Sequence, residues 1–478
     1  MKATTLESKF PLLAVENGCI VSKEADVTVA FRVELPELFS VTGSEYEAVH
    51  SAWHKAVKVL PEYSIVHKQD FFIEEKYRPE TDRDDLSFLS RSFERHFNER
   101  PFLNHFCYLF LTKTTKARSR QESTFSTLCK GRLVPKEIED RETVTRFLEA
   151  VGQFEKIMND SGFVTLRRLT TDEITGTETA AGIVEKYLSL SQHDTTVLKD
   201  IQLNPEEMRI GDDILCLHTL SDTEDLPGKV ATDSRYERLS TDRSDCRLSF
   251  AAPVGLLLDC NHCYNQYIFI DDHGENLKRF EQTARNMHSL SRYSRSNQIN
   301  KAWIEEYLNE AHSKGLTSVR CHCNVMAWSD DREELRRIKN EVGSQLALME
   351  CKPRHNTVDV PTLFWAAIPG NEGDFPFEES FYTFIPQAVL LHRGDELQGL
   401  ALALRHQDGG QDDGQTAASG HQRPADEERG DLEPQQVRPR SERKRQVVLH
   451  EHLVRQYYEQ NSHIVLIDTG NSYQGCAS

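Results

Sequence analysis

Two cysteine-rich runs, Cys260-Asn-His-Cys263 and Cys321-His-Cys323, have the residue types and spacing best suited to chemistry. Four thiolates in two close pairs could hold zinc in a tetrahedron. The surrounding pattern favours burial instead. Val319, Cys321, Cys323, Val325 and Ala327 alternate with Arg320, His322 and Asn324, as the apolar face of a strand does, and a cysteine on such a face behaves as a small hydrophobe. His50 and His54 stand one helical turn apart without the intervening Glu of HExxH, which reads as a helix surface. Asp271-Asp272-His273 follows an apolar run and reads as a turn. No residue of the chain is assigned a catalytic, cofactor-binding or metal-binding role on this basis.

A different chemistry is suggested by the end of the chain. His452 to Gln460 (HLVRQYYEQ) reads as the closing turns of a helix, and His463 to Asp468 (HIVLID) as a short buried strand before Thr469-Gly470. Such a pair is the second half of a βαβ nucleotide-binding unit. Its first half should end in a glycine-rich loop whose backbone N–H groups cradle phosphate at the helix N-terminus. The residues before it, Pro439 to Glu451 (PRSERKRQVVLHE), contain no glycine. They belong to a stretch that looks foreign, since no Phe, Tyr or Trp occurs between Phe384 and Tyr457. Back-translated with permitted codons and read one base later, Arg440 through Leu449 spells GRSGNGKSF, a GxxxxGKS phosphate loop. The same offset from Leu390 permits FFTEETNYKD and then SPYGIKMVDRMTGKPLHLDISDLPMKKG without a forced stop. One outcome is constrained by the code: Gln446 followed by a valine codon yields only Lys or Arg in that frame, where the loop lysine falls.

The tail (HLVRQYYEQ, IVLIDTGNSYQG) and the run Phe364 to Phe384 (FWAAIPGNEGDFPFEESFYTF) resemble the TraG-family conjugation ATPases of conjugative transposons, relatives of the type IV secretion motor ATPases. The resemblance covers most of residues 1–389 and resumes at about 452. It implies, for an intact relative, ATP and Mg²⁺ bound between RecA-like domains, hydrolysis coupled to DNA transfer or pilus-component transport, and homo-oligomerisation. Implied partners are conjugation-channel and other type IV secretion proteins, and the implied location is the cytoplasm, at the cytoplasmic face of the inner membrane through partners. For this chain the expectation is narrower. A frame change near Val389, compensated near His452, removes the loop lysine and serine, and a further one accounts for Cys476-Ala477-Ser478. Asp468 is no Walker B residue, because it lies on the strand directly after the phosphate-loop helix. No cofactor is therefore expected here, and the chain reads as an inactive N-terminal remnant. Taken literally, residues 390–450 would be a disordered insert. The alternatives are a non-enzymatic structural subunit of a conjugation complex and an unrelated α/β binding protein with a disordered tail.

The elements that must carry these residues follow from periodicity. The expected fold class is α/β: a mixed α+β N-terminal region followed by an incomplete RecA-like P-loop domain. Four regions are expected: an α/β module of the ferredoxin-like kind over 1–114, a second α+β region over 115–389, an out-of-frame disordered segment over 390–451, and a P-loop-domain remnant over 452–478. Val27, Val29, Phe31, Val33 and Leu35 mark a strand with one buried face, and Ser44 with Glu47 a capping box for a helix carrying Tyr46, Val49, Trp53, Val57 and Leu60. Strands are predicted over 65–73, 106–111, 213–220, 254–258, 267–270 and 319–327. Helices are predicted around Leu86–Phe97, 139–159 and 181–188, and on the stripes Leu277/Phe280/Ala284/Met287, Ile299/Trp303/Tyr307/Ala311 and Leu335/Ile338/Val342/Leu346, all read as core. The formal net charge of −19 argues against an extended nucleic-acid surface, and no apolar run reaches membrane-spanning length. Eleven cysteines without an export signal suggest reduced thiols. Hydrogen exchange should find residues 400–440 fast-exchanging; slow, cooperative protection there would refute the out-of-frame assignment.

Overall fold

The computed structural model describes residues 5–76, 101–122, 126–128, 141–204, 207–235, 247–290, 294–356, 358–396, 406–409 and 416–419. They fall into two compact units, one of residues 1–74 with 103–396 and the other of residues 75–102 with 397–478. In the second unit, His406–Gly409 pairs antiparallel with Thr416–Ser419 inside the stretch expected to be irregular. The helix expected over Leu86–Phe97, and the helix and strand expected after His452, lie outside the described residues.

The first unit is built on one sheet. Its strands are β1 (Leu12–Glu16), β2 (Cys19–Ser22), β3 (Val27–Glu34), β4 (Ser64–Lys76), β5 (Pro101–Lys113), β6 (Thr165–Arg168), β7 (Ile201–Leu203), β8 (Met208–Ile210) and β9 (Asp213–Leu220). After a separate two-stranded pair, β10 (Asp233–Arg235) and β11 (Arg247–Ser249), come β12 (His262–Ile270), β13 (Ser318–Ser329), β14 (Arg354–Asn356) and β15 (Phe381–Phe384). The main path runs β1-β2-β3-β5-β4-β12-β13-β9-β8-β7, with β6 on β3, β14 on β9 and β15 on β13.

That order contains the same arrangement twice. In the first half the sequence β3, helix Gly43–Lys58, β4, β5, helix Arg141–Asp160, β6 gives the spatial order β6-β3-β5-β4. In the second half β9, helix Ala252–Leu256, β12, β13, helix Arg332–Leu348, β14 gives β14-β9-β13-β12. Both are the split-βαβ order of a ferredoxin-like unit. Each is preceded by a hairpin, β1-β2 or β7-β8, that continues the sheet from its first strand. The halves join through β4 and β12, which pair antiparallel with Lys68 opposite Gln266 at the centre of the register. The boundary expected between the module over 1–114 and the region over 115–389 thus falls inside the first ferredoxin-like unit, which extends to Arg168, and both units share a sheet.

One face of the sheet is covered by the helices Gly43–Lys58, Arg141–Asp160 and Arg332–Leu348, whose Trp53, Phe147, Phe154, Ile338 and Val342 are buried there. Each such side chain contributes about 1.5–3 kcal/mol of transfer free energy. The opposite face is covered by the short helices Thr171–Thr175, Ile183–Leu188 and Val360–Ala366, carrying Ile174, Tyr187, Phe364 and Trp365. With both faces covered, β3 buries Thr28 and Ala30 as well as Val29 and Phe31, so the expectation of one buried face fails for its first turns of pleat. Other differences have local causes. The first long helix is boxed two residues earlier than expected, with the Glu45 carboxylate accepting from the Thr42 N–H at 2.7 Å. Residues 254–256 belong to the short helix Ala252–Leu256, because Pro253 fits its first turn and could not donate to a ladder. The packed chain also continues past Val389: Leu391, His392, Arg393 and Asp395 are all buried.

Gly370 lies between Val360–Ala366 and the sheet with φ +93°, and a Cβ there would meet Ile20 Cγ2 at 2.5 Å. Gly370→Ala should lower the unfolding free energy by about 2 kcal/mol or more, because it combines backbone strain with overpacking; denaturant titration is the check.

Candidate functional site

Polar side chains gather where the halves meet. Along β4, Lys68, Gln69 and Asp70 are fully buried, and along β12 so are Asn265 and Gln266. Alternation sends them to both faces of the sheet. On the side of the long helices, Asp70 accepts from Lys68 Nζ at 2.5 Å, Gln266 Nε2 at 2.7 Å and His105 Nε2 at 2.9 Å. Burial alone would raise the Asp70 carboxyl, but Lys68 and then His105 hold it well below the usual range. Burial would likewise discharge Lys68, yet the adjacent Asp70 keeps its pKa raised. Removing either partner would leave an isolated buried charge, at a cost of about 3–5 kcal/mol.

Asp70, His105 and Cys107 place their potential ligand atoms within 4.8 Å of one another, the one such group of three or more among the described residues. Both carboxylate oxygens of Asp70 are already occupied, and the Lys68 ammonium opposes a second cation. Burial pushes the Cys107 thiol well above its ordinary pKa, so it is neither a thiolate nucleophile nor a ready ligand. The cluster is an ion-pair network, and its chemistry is structural.

The opposite face carries a hydrogen-bonded chain. His67 stacks on Tyr267 at 4.0 Å and contacts Asn265 Oδ1 at 3.2 Å through Nε2. Asn265 Nδ2 donates to Asn324, and Asn324 Nδ2 donates to His322 Nε2, both at 2.9 Å. The His322 proton therefore sits on Nδ1 and is donated to the Glu379 carbonyl at 2.6 Å. Over this chain lies the loop Gly370–Phe375, whose two carboxylates point inward. Glu372 accepts from Thr112 Oγ1 at 2.8 Å and the Gly370 N–H at 3.1 Å, while Asp374 accepts from Ser126 Oγ at 2.7 Å and Thr127 N at 2.9 Å. Glu372 thus ties the loop to β5, and Asp374 ties it to the segment that follows β5.

The residues weighed from sequence are dispersed. Cys263 belongs to one apolar core, while Cys260, Cys321 and Cys323 belong to the other, so the two pairs form no four-thiol site. Burial raises all four thiols, Cys323 to about 12. His50 Nε2 contacts the Pro386 carbonyl at 2.7 Å. Asp271 is more than a turn residue: it accepts from Arg320 Nε at 2.6 Å in a fully buried pair, with the guanidinium 4.5 Å from the Phe377 ring centre. Sequence reasoning missed this pair, and it missed Lys68-Gln69-Asp70 and Asn265-Gln266. Their signal was available, since consecutive polar residues inside an otherwise apolar strand mark a polar seam. A groove of 610 Å³ between Leu6–Phe10, β1 and Ile183–Leu188 is lined mainly by apolar side chains.

Comparison with known families gives two partial matches. Residues 1–51 match the family described as "Domain of unknown function, B. Theta Gene description (DUF3875)", and residues 444–478 match the TraG P-loop domain. No curated protein matches the chain. The C-terminal segment thus carries sequence like that of conjugation-related ATPases, and all of it lies outside the described residues.

Four buried histidines predict the response to acid. Burial is the main cause lowering His218 and His262 to about 4 and His322 and His392 to about 3. Unfolded, each takes up a proton near pH 6.5, so at lower pH the unfolded chain binds more protons and the fold loses stability. The contribution is complete above about pH 6.5 and declines, by up to about 1.4 kcal/mol per pH unit per histidine, as pH falls towards 4. Asp26, raised by burial against the pull of Arg118, acts in the opposite direction. Urea titrations between pH 7 and pH 4.5 should show a steep loss of unfolding free energy; a flat profile would contradict the neutral buried histidines.

Proposed function

We propose that this chain descends from a conjugation ATPase of the type IV secretion kind and that, as translated, it cannot hydrolyse ATP. The observation carrying the reading is the TraG P-loop match over residues 444–478, in a sequence with no GxxxxGK[ST] loop there or in the residues before it. Arg443, Lys444 and Arg445 offer charge, but no glycine stands beside them to build an N–H cradle, and charge attraction in water is screened over roughly 8 Å at physiological salt. Phosphoryl transfer relies on positioning and electrostatic stabilisation together, so losing the loop removes both.

The packing after Val389 supports a change of reading frame. Both ring nitrogens of His392 are buried without a hydrogen-bond partner there, although the neighbouring Asp395 accepts from Tyr46 Oη and Ser249 N and lies 3.6 Å from Arg393 Nε. A native histidine is rarely buried with neither ring nitrogen bonded. The offset reading replaces Leu390-Leu391-His392 with Phe-Phe-Thr, which suits a site bordered by Trp53 and Tyr264. A non-enzymatic role in a conjugation complex is the alternative reading, supported by the ferredoxin-like pair being a packed body in which Glu372 and Asp374 are spent on structural hydrogen bonds.

The nucleotide sequence across codons 386–455 tests the frame change directly. In solution, the chain as written should show no magnesium-dependent ATP turnover, and a gene restored to GRSGNGKSF and continued through the later ATPase elements should regain it. Specific, magnesium-dependent hydrolysis by the chain as written would overturn the proposal.

A further inference from the structure

The helices His273–Leu290 and Arg295–Lys314 form a hairpin standing on the sheet. The second helix carries one apolar stripe, Ile299, Trp303, Tyr307 and Ala311, at successive i, i+4 positions. Near the sheet it is covered: Ala311 is buried, and Tyr307 stacks on Phe384 at 4.3 Å and lies 4.7 Å from Phe280. Farther out the same face continues, and among the described residues Trp303 is 57% and Ile299 43% exposed. This corrects the expectation that the whole stripe is core.

The charge around this uncovered end is opposite to that of the chain. No Asp or Glu occurs between Glu281 and Glu305, although acids exceed Lys and Arg by 19 over the whole sequence. Within that interval Arg285, Arg295 and Lys301 are described. Arg285 meets Glu281 at 3.3 Å, and Lys301, itself only 23% exposed, meets Glu305 at 3.3 Å and His288 Nδ1 at 2.9 Å, so the acids lie on the sheet side of the basic groups. An exposed Trp and Ile flanked by cations form a wedge suited to the boundary between headgroups and acyl chains, where an indole sits favourably and anionic headgroups attract Lys and Arg. Nucleic acid would meet the charges but give Ile299 no partner.

We propose that the hairpin tip is a peripheral docking site for an anionic lipid surface, with Trp303 and Ile299 entering the interface and Arg285, Arg295 and Lys301 binding headgroups. The site stands independently of the ATPase reading and remains available to a chain without a phosphate loop.

The test uses the full chain with vesicles of phosphatidylcholine alone or mixed with phosphatidylglycerol. Trp53, Trp328 and Trp365 are buried, so a blue shift of tryptophan emission on vesicle addition reports Trp303. Binding and blue shift are expected with the mixed vesicles at low salt, with loss at high salt. Arg295→Glu and Lys301→Glu should each weaken binding roughly fivefold or more. Trp303→Ala should weaken it as well, while Trp303→Phe should bind without the blue shift. Equal binding to both vesicle types, no binding to either, or binding indifferent to these variants overturns the proposal. So does self-association reversed by Trp303→Ala, which would make a second copy the cover, or tight binding of duplex DNA unaffected by Trp303→Ala.

Discussion

Everything in the N-terminal body depends on the pairing of β4 with β12. Two ferredoxin-like halves meet there through strands that would otherwise be edges, and the resulting seam is buried on both faces. Lys68, Asp70 and Gln266 occupy one face and His67, Gln69 and Asn265 the other, at the centre of the register. Burying such groups is unfavourable unless each finds a partner, and this requirement fixes what can pack above them. His105 must reach Asp70, Asn324 must reach Asn265, and Gly370–Phe375 must bring Glu372 against Thr112. The apolar cores supply most of the stability, whereas the seam specifies how the halves align. A one-residue slip would carry Lys68 and Asp70 together onto the face of Tyr267, away from Gln266 and His105.

Much of the layer structure was legible because the signals were periodic. The helix with Leu335, Ile338, Val342 and Leu346 and the strand from Asp213 to Leu220 are where alternation places them. Boundaries failed where polar residues entered a strand: β12 begins at His262, yet Asn265 and Gln266 hid its first half. The duplication was illegible because it resides in strand order, which depends on contacts between distant residues and leaves no pattern within a short window. The Asp271–Arg320 pair was hidden for the same reason, each residue alone resembling ordinary surface polarity. Trp303 erred in the other direction, since periodicity identifies an apolar face without identifying what covers it.

At the C-terminal end, sequence and structure contribute different kinds of information. A nucleotide's phosphates require a glycine-rich loop, and Pro439–Glu451 contains no glycine. From Leu391 to Asp395, polar side chains are buried beside Trp53 and Tyr264.

The antiparallel seam also orders events in time. A ribosome delivers β4 long before β12, so during synthesis the first half must wait with an open edge carrying Lys68 and Asp70 in water. There these side chains are well solvated and discourage pairing with a stray strand, as charges on an exposed edge do. Only when His262–Ile270 emerges can the edge close and the same charges exchange water for each other. The groups that align the finished sheet thus also guard the unfinished one.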